Sequence, residues 1–275
     1  MAKKIAFVLN KKKESYGSIA TGMIAEAKKR GMAIDYLDTG DFDKYTDIIV
    51  FHNRPPDLFT KARVHWWMCD LRNPQEFKNN ELGGIDQIFL CNKAYMQDNA
   101  YAYSCPVQYV PQTGLPEKSK GGEIMHDIVF IGNLVTNRFH ANRAEPITFL
   151  MKNYNIDVRS GERFTEDSWW LYNQTPISLS INAEAYGFTS NRTYNILSAG
   201  GFCLIKDYKG IHEQFEVGTH LVSFTDTKDM IKKIDYYLAH PEERKVIAKA
   251  GKEFYMQKHT PEKRMDTMIN FVNML

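Results

Sequence analysis

Cysteine is scarce in this 275-residue chain: Cys69, Cys91, Cys105 and Cys203 are scattered and form no CxxC pair. That spacing argues against a zinc site and against a disulfide framework. The eight histidines show no HxH or HxxxH spacing, so no metal centre is expected. No apolar run approaches the roughly 20 residues of a membrane span. The opening MAKKIAFVLNKKK holds too short an apolar stretch for a signal peptide. Neither sign of charge dominates, with 35 basic against 33 acidic residues and a net charge of +2. A generally basic nucleic-acid binder is thereby excluded, although a local basic patch is not. Repeats at solenoid period and low-complexity tracts are also absent. Together these absences lead us to expect a soluble, reduced, cytoplasmic protein.

What is present supports a folded enzyme-sized chain. Hydrophobic residues make up 43% and charged residues 25%, enough for one large core or two ordinary ones. Strand and helix signals alternate. KIAFVLN (4–10) is a β-rich run, and GSIATGMIAEAKKRG (17–31) spaces Ile19, Met23, Ile24 and Ala27 as a helix closed by Gly31. AIDYLD, DIIVFHN, VHWWMCD, QIFLCN and VQYVPQ read as further strands, several apolar on both faces as buried parallel strands are. Residues 113–126, TGLPEKSKGGEIMH, have the composition of a linker. The rhythm then restarts with DIVFIGN, a helix over ANRAEPITFLMKNY, and the strands IDVRSGE, TPISLSIN, FCLIKD and HLVSF. Three helix starts follow, at Thr227, at His240-Pro241-Glu242-Glu243 and at Thr260-Pro261-Glu262. This βαβ rhythm predicts two Rossmann-like domains, 1–115 and 127–275, with closing helices.

One stretch asks for more than packing. SNRTYNILSAGGF (190–202) sets Arg192 and Asn195 on a helix with Tyr194, Ile196 and Leu197, and ends it on Gly200-Gly201 before a strand. A helix N-terminus presents free N–H groups and partial positive charge to a phosphate, and a first-turn arginine adds a bidentate cation. The plain alternative makes Arg192 a surface charge and the glycines a C-cap.

In their order along the chain, DIVFIGN, SNRTYNILSAGGF, GIHEQFEVGTHLVSFTD, YYLAHPEERKVIAKAG and HTPEKR resemble the group 1 glycosyltransferase superfamily and its CgeB-like branch. WWMCDLRNP, DQIFLCN and YVPQ add a lesser likeness in the first half. The resemblance implies a GT-B α/β fold, two Rossmann-like domains facing across a cleft with C-terminal helices. It also implies transfer of a sugar from a nucleotide diphosphate without metal or other cofactor, the nucleotide sugar being a substrate. The donor is expected on the C-terminal domain and the acceptor on the N-terminal one. Ser190, Arg192, Tyr194 and Asn195 become donor-binding candidates. The family usually carries a glutamate for the donor ribose where this chain has Asn195, which is neutral but still a hydrogen-bond donor and acceptor.

Further candidates each have a bland counterpart. Gly132 and Asn133 follow a strand where a phosphate-facing loop would lie, with Arg138 or Arg143 positioned to meet the diphosphate; the alternative is a simple turn. Asp70 ends an apolar strand on the side of a parallel sheet where ligands gather, as a base for the acceptor hydroxyl; otherwise it caps a helix or pairs with Arg72. Lys11, Lys12, Lys13, Tyr16 and Gly17 occupy the loop after the first strand, with Glu14 the only acid nearby. Three lysines suit a polyanionic acceptor, in the sharpest case a hydroxymethylated base of phage DNA, which would place the chain in a host cytoplasm. Trp66, Trp67 and Tyr16 would then stack on the flipped base. A charge run is otherwise a solvated face. GDFDKY (40–45) reads as a turn. The competing readings are a GT-B module that binds nucleotide or glycan without turnover, a transferase acting on a cell-surface glycan, and a sugar-phosphate epimerase.

Overall fold

The computed structural model describes the chain apart from residues 1–2, 11–16, 53–57, 69–82, 100–102, 116–124, 135–140, 161–165 and 183–187. It divides into two compact units: Met1–Tyr16, Ala20–Gln112 and Pro261–Leu275 form the first, Gly17–Ile19 and Thr113–Thr260 the second. The chain therefore crosses between units more than once.

The first unit is built on a six-stranded parallel sheet. Its strands are β1 (Ile5–Leu9), β2 (Ala33–Tyr36), β3 (Asp47–Phe51), β4 (Arg63–Met68), β5 (Gln87–Leu90) and β6 (Val107–Tyr109), in the order β2-β1-β3-β4-β5-β6. Every residue of β3 and the last five of β4 are buried, as strands covered on both faces must be. Helix α1 (Gly17–Lys29) buries Ile19, Met23 and Ala27 along one stripe. It stops at Gly31, whose φ of 70° is one that glycine adopts without strain. Between β5 and β6 lies the short helix α2 (Lys93–Asn99).

The second unit holds a five-stranded parallel sheet: β7 (Ile128–Ile131), β8 (Ile156–Arg159), β9 (Ile177–Ser180), β10 (Cys203–Lys206) and β11 (Val222–Phe224), ordered β11-β10-β9-β7-β8. The helices are α3 (Ala141–Asn153), α4 (Glu166–Gln174), α5 (Asn191–Ala199), α6 (Thr227–Ala239) and α7 (Pro241–Lys258). Side-chain alternation splits the sheet's two faces into two cores. Val129, Ile131, Cys203 and Ile205 pack with Tyr194, Ile196, Leu197 and Tyr255. Ile128, Phe130, Leu179 and Leu204 pack with Ile147, Leu150, Met230 and Ile234 on the opposite face.

Three sequence expectations change. Helix α6 is capped by Asp226, whose side chain accepts from the Asp229 amide at 2.8 Å; Thr227 is its first helical residue. Helices α2 and α4 were not anticipated. The final helix, α8 (Pro261–Val272), clusters with the first unit although its sequence follows the second. The reason is packing: Phe271 meets Phe89 at 5.9 Å, Gln87 donates to the Phe271 carbonyl, and Arg30 pairs with Asp266 at 2.7 Å.

Candidate functional site

The C-terminal edge of the second sheet gathers the polar side chains. Parallel strands end there in carbonyls that the ladder no longer satisfies, and ligands of open α/β sheets collect at such edges. β7 runs out into Gly132 and Asn133, and β9 into Ile181 and Asn182. The first turns of α3 and α5 reach the same edge.

Arg192, in the first turn of α5, is 8% exposed. Its Nε donates to the Ile131 carbonyl at 2.6 Å and its Nη1 to the Ile181 carbonyl at 2.9 Å. The guanidinium lies 4.8 Å from the centre of the Phe130 ring, a favourable cation–π contact. Its second Nη lies against Gly132, where any Cβ would overlap it. Arg143, on α3, is 4% exposed and donates from Nε to Ile181 at 2.8 Å and from Nη1 to Asn133 at 2.9 Å. The two arginines thus converge on one carbonyl. Among the described residues neither has a carboxylate within ion-pair distance. Burial, and then the neighbouring Arg192, push the Arg143 guanidinium down to about 9; burial pushes Arg192 down as well. Arginine keeps its proton in proteins, so both side chains are cations. Two buried cations with no described carboxylate beside them are costly, and a bound anion would relieve that cost.

Around them the backbone is held by short polar side chains. Ser190, the N-cap of α5, makes no capping bond with its side chain and instead donates to Asn182 Oδ1 at 2.7 Å. Thr193 bonds Ser180 at 3.0 Å. Asn142 donates to the Asn182 carbonyl at 3.1 Å, while its own buried Oδ1 has no partner among the described residues. Asn142 and Asn182 went unnoticed in the sequence. Asn182 had a readable signal, as the first polar residue past an apolar strand.

The remaining candidates fall differently. Asn195 is 1% exposed; its Oδ1 accepts from the Leu115 amide at 3.1 Å and its Nδ2 donates to Ser18 at 3.2 Å. It is committed to bracing α5 rather than presented to a ribose. Tyr194 is fully buried beside Phe215 and His259, so the donor role given to it is corrected to a core role. Gly200, at φ 76°, and Gly201, whose Cβ would strike the Tyr172 carbonyl, explain the glycine pair as a helix stop and a close approach.

Trp66 and Trp67 are also corrected. Both are fully buried, and they donate to the carbonyls of His52 at 2.8 Å and Val110 at 3.1 Å, so neither offers a ring for stacking. Gly17 opens α1. Lys11, Lys12, Lys13, Tyr16, Asp70, Arg72 and Arg138 lie outside the described residues. The described residues bring no three His, Cys, Asp or Glu side chains together, and none of their helices is long and apolar enough to cross a membrane.

Two parallel α/β sheets with closing helices match the GT-B class of glycosyltransferase fold. Residues 132–270, just over half of the chain, match the glycosyl transferase-like family, and the protein belongs to that family. Solved structures agree on the fold. The HepE protein of Anabaena, in complex with UDP and glucose, superposes with a TM-score of 0.68 at 10% identity over 100% of both chains. Sucrose-phosphate synthase of Thermosynechococcus elongatus gives 0.66 at 8% identity over 99% of each. A glycosyltransferase of Rickettsia africae gives 0.64 at 10% over 98% of each. No curated protein matches the sequence.

Proposed function

We propose that this chain transfers a glycosyl group from a nucleotide-diphosphate sugar to an acceptor hydroxyl, without a metal ion. The observation that carries the reading is the buried pair Arg143 and Arg192, with no described carboxylate, at the ligand-collecting edge of a parallel sheet. In the transfer, the bond from the anomeric carbon to the diphosphate oxygen breaks and its electron pair leaves with the diphosphate. The acceptor oxygen bonds the anomeric carbon and its proton passes to a base, for which Asp70 is the candidate. The Arg192 guanidinium and the N-terminal N–H groups of α5 stabilise the departing charge, as preorganised donors do wherever charge develops. They supply the positive charge that a metal ion supplies in other transferases. The UDP and glucose bound by Anabaena HepE support the same donor chemistry.

For the acceptor, the run Lys11-Lys12-Lys13 supports a polyanion, with hydroxymethylated DNA as the first to test. The deciding experiment incubates the protein with a panel of nucleotide sugars in EDTA and follows release of nucleoside diphosphate. Thermal stabilisation by the same panel tests binding alone, since a ligand at a hundred times its Kd adds about 2.7 kcal/mol. Stabilisation without any release would make the chain a binding module. Neither effect with any donor overturns the proposal.

A further inference from the structure

We infer that Arg143 is a positioning residue: it sets the backbone that meets the donor diphosphate and leaves the contact itself to Arg192. This rests on the donor site proposed above. Arg143 clasps two carbonyls, Asn133 beyond β7 and Ile181 beyond β9, at 2.9 and 2.8 Å. The two strands pair directly through Ile128 with Ile177 and Val129 with Ser178. Past that register β7 keeps its pairing with β8, with the Gly132 amide donating to the Arg159 carbonyl at 2.9 Å. The guanidinium of Arg143 takes over where the ladder between β7 and β9 has ended. Asn142, one residue earlier, grips the Asn182 carbonyl at 3.1 Å, so the first turn of α3 holds both outgoing loops.

The consequence reaches Arg192 through the Ile181 carbonyl, which both arginines share. Moving that carbonyl moves the partner that orients Arg192, and with it the Nη that lies over Gly132. Both arginines commit two of their three nitrogens to backbone, but Arg143 ties the ends of two strands together, whereas the remaining Nη of Arg192 lies over Gly132. A group so placed acts on a ligand through geometry.

Arg143→Lys and Arg143→Gln distinguish geometry from charge. Lysine keeps the charge but cannot span two carbonyls with a planar fork, and glutamine keeps donors without charge. UDP is the calorimetric probe, titrated across a range of salt, with hydrogen exchange at the amides of Asn133, Leu134 and Asn182 as an independent readout. A positioning role predicts that both variants lose UDP affinity by a similar factor, about tenfold to a hundredfold. It also predicts an unchanged dependence of affinity on salt, and faster exchange confined to those amides. Retained affinity in Arg143→Lys, with loss and a flatter salt response in Arg143→Gln, overturns it in favour of direct contact. Should Arg143→Gln not fold, Arg143→Lys alone decides, because a direct charge contact predicts that it binds well. If the wild type binds no nucleoside diphosphate, the donor reading fails by itself; exchange then still separates a clamp, with faster exchange in the variants, from no clamp, with none.

Discussion

At the scale of single residues, Gly132 and Arg192 form the sharpest test of the donor site. A methyl group on Gly132 would overlap the Arg192 guanidinium, while one on Gly83 meets nothing within 4 Å. Gly132→Ala is therefore expected to displace Arg192 and lower nucleoside-diphosphate affinity at least tenfold, with Gly83→Ala as a neutral control; calorimetry of both variants decides. Arg192→Lys keeps the cation but loses the bridge between the Ile131 and Ile181 carbonyls. Its expected loss is about 1.5–3 kcal/mol of binding, the worth of a charged hydrogen bond. Arg192→Ala adds a second effect, because the Ile131 carbonyl loses its arginine donor at about 1–3 kcal/mol while Ile181 keeps Arg143, so its melting temperature falls as well. An Arg192→Ala protein with wild-type affinity and wild-type melting would remove Arg192 from the site. The place of Arg192 in the first turn of α5 was legible in the sequence because a first-turn arginine before a glycine stop is a local pattern. The internal commitments of Asn195 and Tyr194 were not, since their partners Leu115, Ser18 and His259 lie far away along the chain.

At the scale of elements, the first sheet carries a buried polar cluster that makes its stability depend on pH. His65 on β4 and Arg63 both reach Asp47 Oδ1 on β3, at 2.9 and 2.7 Å, and both His65 and Asp47 are fully buried. Burial holds the His65 imidazole below 6.5, outweighing the hydrogen bond and charge of Asp47, the hydrogen bond of Gln87 and the charge of Asp86. Burial pushes the Asp47 carboxyl up, but hydrogen bonds from His65 and Thr46 and the charges of Arg63 and His65 prevail and hold it below 3.8. Below pH 6.5 the unfolded chain therefore binds more protons at His65 than the folded one. That stability is present above pH 6.5 and is lost as pH falls through the folded pKa, at about 1.4 kcal/mol for each unit of difference. Asp47 acts in the same direction lower down, below pH 3.8. Thermal melts between pH 7.5 and 5 are expected to fall for the wild type and to flatten for His65→Gln; parallel slopes would assign the effect elsewhere. The inner strands β1, β3 and β5 were plain in the sequence because a buried parallel strand is a nearly unbroken apolar run. Helix α4 was hidden because EDSWWLYNQ bunches its aromatics together and shows no clear helical stripe.

At the scale of the whole molecule, the return of α8 to the first unit has a consequence for how the chain unfolds. Arg264 donates from Nε and Nη2 to the Gln112 carbonyl at 3.2 Å, within the first unit. Thr113 donates to the His259 carbonyl at 2.6 Å, within the second. Each unit thus stitches together its own side of the two crossings at Gln112–Thr113 and Thr260–Pro261. The sequence suggested a linker at 113–126, and the polar composition there drew attention away from the short junctions on either side of Thr113 and Thr260. Removing residues 261–275 takes from the first unit the Phe271 ring against Phe89, the Arg30–Asp266 pair, and the carbonyls that Gln87 and Lys3 hold at 2.8 and 3.2 Å. None of residues 261–275 belongs to the described cores of the second unit. The truncated chain is accordingly expected to lose protection from proteolysis across residues 3–112, while residues 125–260 stay resistant. A saturating nucleoside diphosphate should raise only the surviving transition, because the donor site as proposed draws all its described groups from the second unit. Calorimetric scans of the full and truncated chains, each with and without UDP, test both statements at once. A single transition that UDP shifts equally in both chains would show that α8 does not support the first unit alone, and the assignment of that helix would have to be withdrawn.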